Sequence, residues 1–156
     1  MSLTNRLNRL SRDFLWTSDG DYFHDGRKGS FWVARLTEDE ILYSSILKRL
    51  QSTRGDSLGG GRGDWRWHPQ IGTNLYRFVG AQNTPTIHDE IRTEIIGALT
   101  EDDLISPGDI NVEVFPISPH AVLAVIFATS LEGADPVVVS FDYDLRDNKV
   151  FPRSVE

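Results

Sequence analysis

Between Thr53 and Trp65 the chain sets five glycines, two arginines and two aspartates among thirteen residues. No regular element can run through Gly59-Gly60-Gly61, because glycine loses the most conformational freedom when it is held in a helix or strand. Whatever precedes this loop must therefore end at it, and whatever follows must be a separate element. Before it, Ile41, Leu42, Ile46, Leu47 and Leu50 recur at helical spacing and predict a helix over 38–52. Thr37-Glu38-Asp39-Glu40 reads as its capping box, with the acids at the positive end of the helix dipole. After it, Thr84-Pro85 opens a second predicted helix over 85–99, since proline at the first helical position loses no hydrogen bond. Its core face is Ile87, Ile91, Ile95 and Ala98 or Leu99.

Beyond Pro107-Gly108 the periodicity changes from helical to alternating. Residues 109–117 alternate weakly, and Pro116 marks an edge or a strand end. Val122–Thr129 is apolar at successive positions, as in a central strand covered on both faces. Val137, Val139, Phe141 and Tyr143 alternate with Val138, Ser140, Asp142 and Asp144, which predicts a half-buried antiparallel strand. Arg146–Lys149 can then turn the chain into a short last strand around Val150-Phe151. At the other end, Leu3, Leu7 and Leu10 predict a short amphipathic helix within 1–12. Asp19-Gly20 predicts a hairpin between Phe14–Thr17 and Asp21–His24, and Phe31–Leu36 reads as a further extended segment after the turn at Gly26–Gly29. The expected fold class is α+β: a small, mostly antiparallel sheet with two main helices packed on one side, plus an N-terminal helix and hairpin. A length of 156 residues suits one domain with one core.

A net charge of −7 argues against a surface that binds nucleic acid through phosphate contacts. The chain has no cysteine, which removes disulfides and thiolate metal sites. The longest apolar run, Ala121–Ala128, is far shorter than the roughly 20 residues of a membrane helix. The N-terminal residues lack an apolar segment of signal-peptide length, so a soluble protein that is not exported by itself is expected.

Chemistry finds little purchase. His24, His68, His88 and His120 are scattered, form no HxxxH or HExxH spacing, and are expected at turns or, for His88 beside Asp89, on a helix surface. The glycine loop has no lysine where a phosphate cradle needs one, and it follows a helix rather than a strand. Ser57 lacks the G-x-S-x-G frame of a nucleophile elbow. No catalytic residue, cofactor or metal is expected. The rival reading is an acidic, lysozyme-like hydrolase acting on peptidoglycan at a phage tail. Glycosidases need two carboxylates about 5–10 Å apart, and Asp142 and Asp144 share one face of a strand. Glu40 is the other carboxylate to test, although capping accounts for it.

Arginine forks, close-approaching glycines and tryptophan anchors together describe a docking loop at 53–72 rather than a catalytic one. Its order is a helix, then Thr53-Arg54-Gly55-Asp56, then Trp65-Arg66-Trp67-His68-Pro69-Gln70-Ile71-Gly72-Thr73-Asn74-Leu75, then a helix. This order resembles the baseplate wedge, or sheath-initiator, proteins of contractile-tailed bacteriophages and of type VI secretion-like injection systems, across roughly residues 13–145. Arg-Gly-Asp occurs twice, at 54–56 and 62–64, around an inserted Ser57–Gly61, and the acid is Asp where Glu is expected. The resemblance implies a non-enzymatic structural subunit of the virion tail baseplate, assembled in the bacterial host cytoplasm. Its partners would be other wedge proteins, the tail sheath protein and tail tube or hub proteins, with no nucleic acid, no membrane and no strong homo-oligomer. The expected contacts are Arg54, Asp56, Arg62, Asp64, Trp65, Arg66, Trp67 and Pro69 in the loop. In the C-terminal sheet (109–152) they are Val138, Ser140, Asp142 and Asp144, along a strand edge that could accept a sheath arm by β-augmentation.

Overall fold

The computed structural model describes residues 12–14, 24–25, 30–31, 33–35, 38–55, 63–64, 69–101, 105–129 and 136–153. The expected helix at 1–12 and the Asp19-Gly20 turn lie outside these, apart from Arg12. Four short strands come first: β1 (Arg12–Phe14), β2 (His24–Asp25), β3 (Ser30–Phe31) and β4 (Val33–Arg35). They pair as β1 with β4 and β2 with β3, both antiparallel. Phe14 is thus paired in register with Val33, while residues 15–23 of the predicted hairpin lie outside the described residues.

Helix α1 (Glu38–Gln51) and helix α2 (Pro85–Thr100) follow the two predicted stripes. Leu42, Ile46, Leu47 and Leu50 are buried along α1, and Ile91, Ile95, Ala98 and Leu99 along α2. Thr84 caps α2 by accepting from the Ile87 amide, with Pro85 in the first turn. A one-turn 3-10 helix, Leu75–Phe78, lies between them and buries Leu75 and Phe78.

The C-terminal sheet contains β5 (Ile110–Ser118), β6 (Ala121–Ala128), β7 (Val137–Asp144) and β8 (Lys149–Pro152) in that spatial order. All three pairings are antiparallel. Asn148, in the left-handed region at φ 51°, turns β7 into β8; asparagine is among the few non-glycine residues that take this conformation at low cost. Helix α2 packs under β5, and α1 under β7 and β8. The architecture is α+β, as the sequence predicts.

Both helices cover one face, and the two faces of β6 differ accordingly. Val122, Ala124, Ile126 and Ala128 are fully buried, while Leu123, Val125 and Phe127 are only half-buried. Strand β6 is internal to the sheet, and among the described residues no helix lies on its outer face. Tyr143 anchors the inner layer, its hydroxyl donating to the Leu75 carbonyl at 2.6 Å and lying 2.9 Å from Asn148 Oδ1.

Candidate functional site

Residues 52–55, 63–64 and 69–73 meet in a neck made of backbone. Thr53 and Thr73 form a parallel bridge, with the Arg54 amide donating to the Thr73 carbonyl (3.0 Å) and the Thr73 amide to Ser52 (2.9 Å). The Gly55 amide donates to the Pro69 carbonyl (2.8 Å), and the Asp64 amide to Thr53 (3.0 Å). The Asp64 carboxylate accepts from the Thr53 amide at 2.7 Å. Three chain segments therefore meet in this neck. Its glycines are compulsory. A Cβ on Gly63 (φ 63°) would stand 2.4 Å from the Gly55 nitrogen, and one on Gly72 (φ 120°) would stand 2.7 Å from the Ser52 oxygen.

Of the eight residues expected to dock, Asp56, Arg62, Trp65, Arg66 and Trp67 lie outside the described residues. The other three belong to the neck itself. Arg54 donates through Nε to the Gln70 carbonyl (3.2 Å) and pairs with Glu101 at 3.4 Å. Asp64 caps Thr53, and Pro69, exposed, supplies a carbonyl to Gly55. The two Arg-Gly-Asp copies thus meet: Arg54-Gly55 of the first lies against Gly63-Asp64 of the second. Beside the neck, a groove of about 610 Å³ is lined by Arg54, Arg77 and Phe78 and by Thr86, Glu90 and Thr93 of α2.

The sheet provides the second surface, and its hydrogen-bond alternation can be read from its ends. The Leu145 amide donates to His120, and the Arg153 amide to Ser140 (2.8 Å each). In an antiparallel ladder neighbouring residues bond to opposite sides, so odd-numbered residues of β7 face β6 and even-numbered ones face β8. The described part of β8, with the Arg153 amide, pairs alongside Ser140–Asp144, which corrects the expected edge. Ser140, Asp142 and Asp144 have their outward side taken by β8. Among the described residues Val138 alone of the four turns its N–H and C=O to an open side. The same parity, set by the Thr129 amide donating to Asp109, turns Ile110, Val112, Val114 and Pro116 of β5 outward. Edge β5 thus offers three amides in a row of alternate residues. Edge β8 is short, and Pro152 removes one of its two outward donors.

Neither carboxylate of the suspected hydrolytic pair is free. Arg153 grips Asp142 with two bonds, at 2.8 and 3.1 Å. Arg146 holds Asp144 by its side chain (3.2 and 2.9 Å) and its amide (2.8 Å). Those hydrogen bonds from Arg146, side chain first, bring the Asp144 carboxyl down to about 2. A glycosidase acid needs the opposite, a carboxyl raised so that it stays protonated. Among the described residues no three His, Asp or Glu side chains cluster to hold a metal ion, and no helix is long and apolar enough to cross a membrane.

Several polar residues escaped the sequence reading. Arg49 is buried, donating to the Ala98 and Glu101 carbonyls (3.1 Å each) and so closing the end of α2. Its position seven residues after Leu42 places it on the buried stripe, and that spacing is the signal that could have found it. His88 is buried rather than on the surface, its ring bonded to Asn83 Oδ1. Asn83 in turn donates to the Ser118 and Ala121 carbonyls, 2.6 and 3.1 Å away, across the β5–β6 turn.

Comparison with known proteins returned no match: no family model, curated protein or solved structure is significantly similar to the chain.

Proposed function

We propose that the chain is a structural subunit of a contractile-tail baseplate, which joins the wedge scaffold and starts tail-sheath assembly. The observation that carries this reading is an antiparallel sheet with outward amides at Ile110, Val112 and Val114 on one edge and at Val138 on the other. An open edge is a ready template for an extended arm from another chain, which is what a sheath subunit would have to find at its starting platform. The motif order across 53–75 supports the same reading. In this reading Arg62, Trp65, Arg66 and Trp67 are the contacts to the wedge partners.

The test uses assembled baseplates viewed by electron microscopy. Ile110→Pro and Val138→Pro each delete one outward donor while leaving every bond to β6 in place. The reading expects one of these variants to give complete baseplates without polymerised sheath. Arg62→Ala with Arg66→Ala should leave the domain folded and block wedge assembly. Full-length sheath on baseplates carrying both prolines, together with normal assembly of the arginine variant, would remove the reading.

A further inference from the structure

The neck adjoins the body without sharing its core. Residues 52–55, 63–64 and 69–73 contribute nothing to the apolar cluster built on α1, α2 and the sheet. Two carboxylates hold the neck instead, one from α2 and one from its C-cap. Glu94 Oε1 accepts from the amide of Asn74, the residue that follows the neck, at 2.8 Å. Glu101 pairs with Arg54 at 3.4 Å, and the same guanidinium donates through Nε to the Gln70 carbonyl at 3.2 Å. Seven residues separate the two acids, so the ties stand about 10 Å apart along the helix. We propose that Glu94 and Glu101 are positioning residues, which fix the neck on α2 and so set the geometry in which wedge partners meet it. The inference rests on the baseplate reading.

The two ties engage different segments. Arg54 belongs to the segment that follows α1, and Asn74 to the one that enters the 3-10 helix. The Thr53–Thr73 bridge joins these same two segments. One tie would let the bridged pair pivot on the helix, and two at separate points remove that freedom. The attachment point is itself fixed. Arg49, buried on α1, donates to the Ala98 and Glu101 carbonyls at 3.1 Å each, so Glu101 is held from both helices. The bond at Glu94 is charge-assisted and therefore stronger than a neutral one. The Arg54 pair is partly exposed and contributes less. Arg62 and Trp65 adjoin Gly63 and Asp64 in the chain, and Asp64 is bonded to Thr53. Contacts offered from a fixed frame lose less freedom on binding than contacts from a pivoting one. Loosening the ties therefore lowers affinity for the wedge without deleting a contact.

The test compares two double variants of the full chain. Glu94→Ala with Glu101→Ala removes both ties, whereas Glu94→Gln with Glu101→Gln keeps an amide oxygen that still accepts at each position. In the alanine variant the Asn74 amide should exchange about fivefold faster or more. Nitrogen-15 order parameters at Arg54, Gly55 and Gly63 should fall from about 0.85 toward 0.6, while those of Ile126 and Phe141 stay put. The concentration of this subunit that half-completes wedge assembly should rise by about fivefold or more. The glutamine variant should restore all three readouts toward wild type. An unchanged neck in the alanine variant would overturn the inference, as would a loosened neck with unaltered assembly. Equal loosening at Ile126 and Phe141 would also overturn it, because the ties would then hold the whole fold. The baseplate reading is judged separately, by the proline variants and by Arg62→Ala with Arg66→Ala.

Discussion

The helix–sheet body and the neck of the 53–73 loop lie side by side but are held by different forces. In the body, side chains with regular spacing meet across two layers: Ile46, Ile91, Ile126 and Phe141 are fully buried. Their stabilisation comes from removing apolar surface from water, which is non-directional and roughly proportional to area. In the neck, five backbone hydrogen bonds or caps join Ser52–Gly55, Asp64 and Pro69–Thr73, and glycines let the strands of the loop approach. Such bonds are directional and each contributes only about 1 kcal/mol net. The body should therefore tolerate small shifts yet suffer from lost volume. The neck should tolerate lost side chains yet suffer from added ones.

The largest effect tests the body. Phe141→Ala empties a site with no solvent exposure in the middle of β7 and should cost about 3–5 kcal/mol in urea unfolding. A loss below about 1 kcal/mol would mean that this layer is not the core.

The reverse substitution tests the neck. Gly63→Ala adds one methyl, but its contacts are the Gly55 backbone and the Thr53 carbonyl, neither of which can rotate away. The expected loss is about 2 kcal/mol or more, with faster amide exchange at Arg54, Gly55 and Asp64. Gly80→Ala is the control: Gly80 also has a positive φ, 83°, but nothing lies within 4 Å of a Cβ there. It should lose only about 1 kcal/mol from backbone strain. Equal losses at the two glycines would show that conformation, and not close approach, governs the neck.

This contrast also explains what the sequence revealed. Helix α1 and helix α2 lie within a residue of their predicted bounds because Ile41–Leu50 and Ile87–Leu99 repeat at helical spacing. Strand β7 was legible from the alternation of Val137–Asp144. Which face of β6 the helices would take was not legible, since Val122–Ala128 is apolar at every position. The neck was legible only as a loop. Its bonds run between backbone groups of residues as far apart as Thr53 and Thr73, and backbone groups are the same in every residue. Asp64 and Arg54 looked like contacts offered to a partner, whereas the fold uses them within the chain. His88 looked exposed beside Asp89 because its partner, Asn83, lies before the helix and off the periodic stripe.

A smaller effect concerns the Tyr143 hydroxyl, which bridges the sheet and Leu75. Tyr143→Phe removes the donor to the Leu75 carbonyl and should cost about 1–2 kcal/mol at neutral pH. Burial first, and then the charge of Asp144, push the Tyr143 hydroxyl up to about 12 from 10.0. The folded state therefore favours the protonated form. Its contribution is complete below pH 10 and fades as pH rises through 12. Wild type should lose stability over that range, and the Phe variant should not lose this part of it.

The smallest effect lies at the rim of the body, where neither packing nor backbone clamping operates. Asp144 is held by Arg146, whose own side chain is largely exposed, 64%. Its carboxyl titrates near 2 instead of 3.8. A depressed carboxyl stabilises the fold at pH values above 3.8, and that contribution disappears as pH falls through about 2. Arg146→Ala removes both side-chain hydrogen bonds and the nearby charge. Carbon-detected NMR titration should then find Asp144 moved back up toward 3.8, while Phe141 and Tyr143 keep their core resonances. The stability change at neutral pH should be slight and should shrink further in high salt, because water and ions reach the pair. A large loss, comparable to that of Gly63→Ala, would mean that the β7–β8 turn is held by its charges. The division between a packed body and a hydrogen-bonded neck would then need a third region, one stabilised by charge.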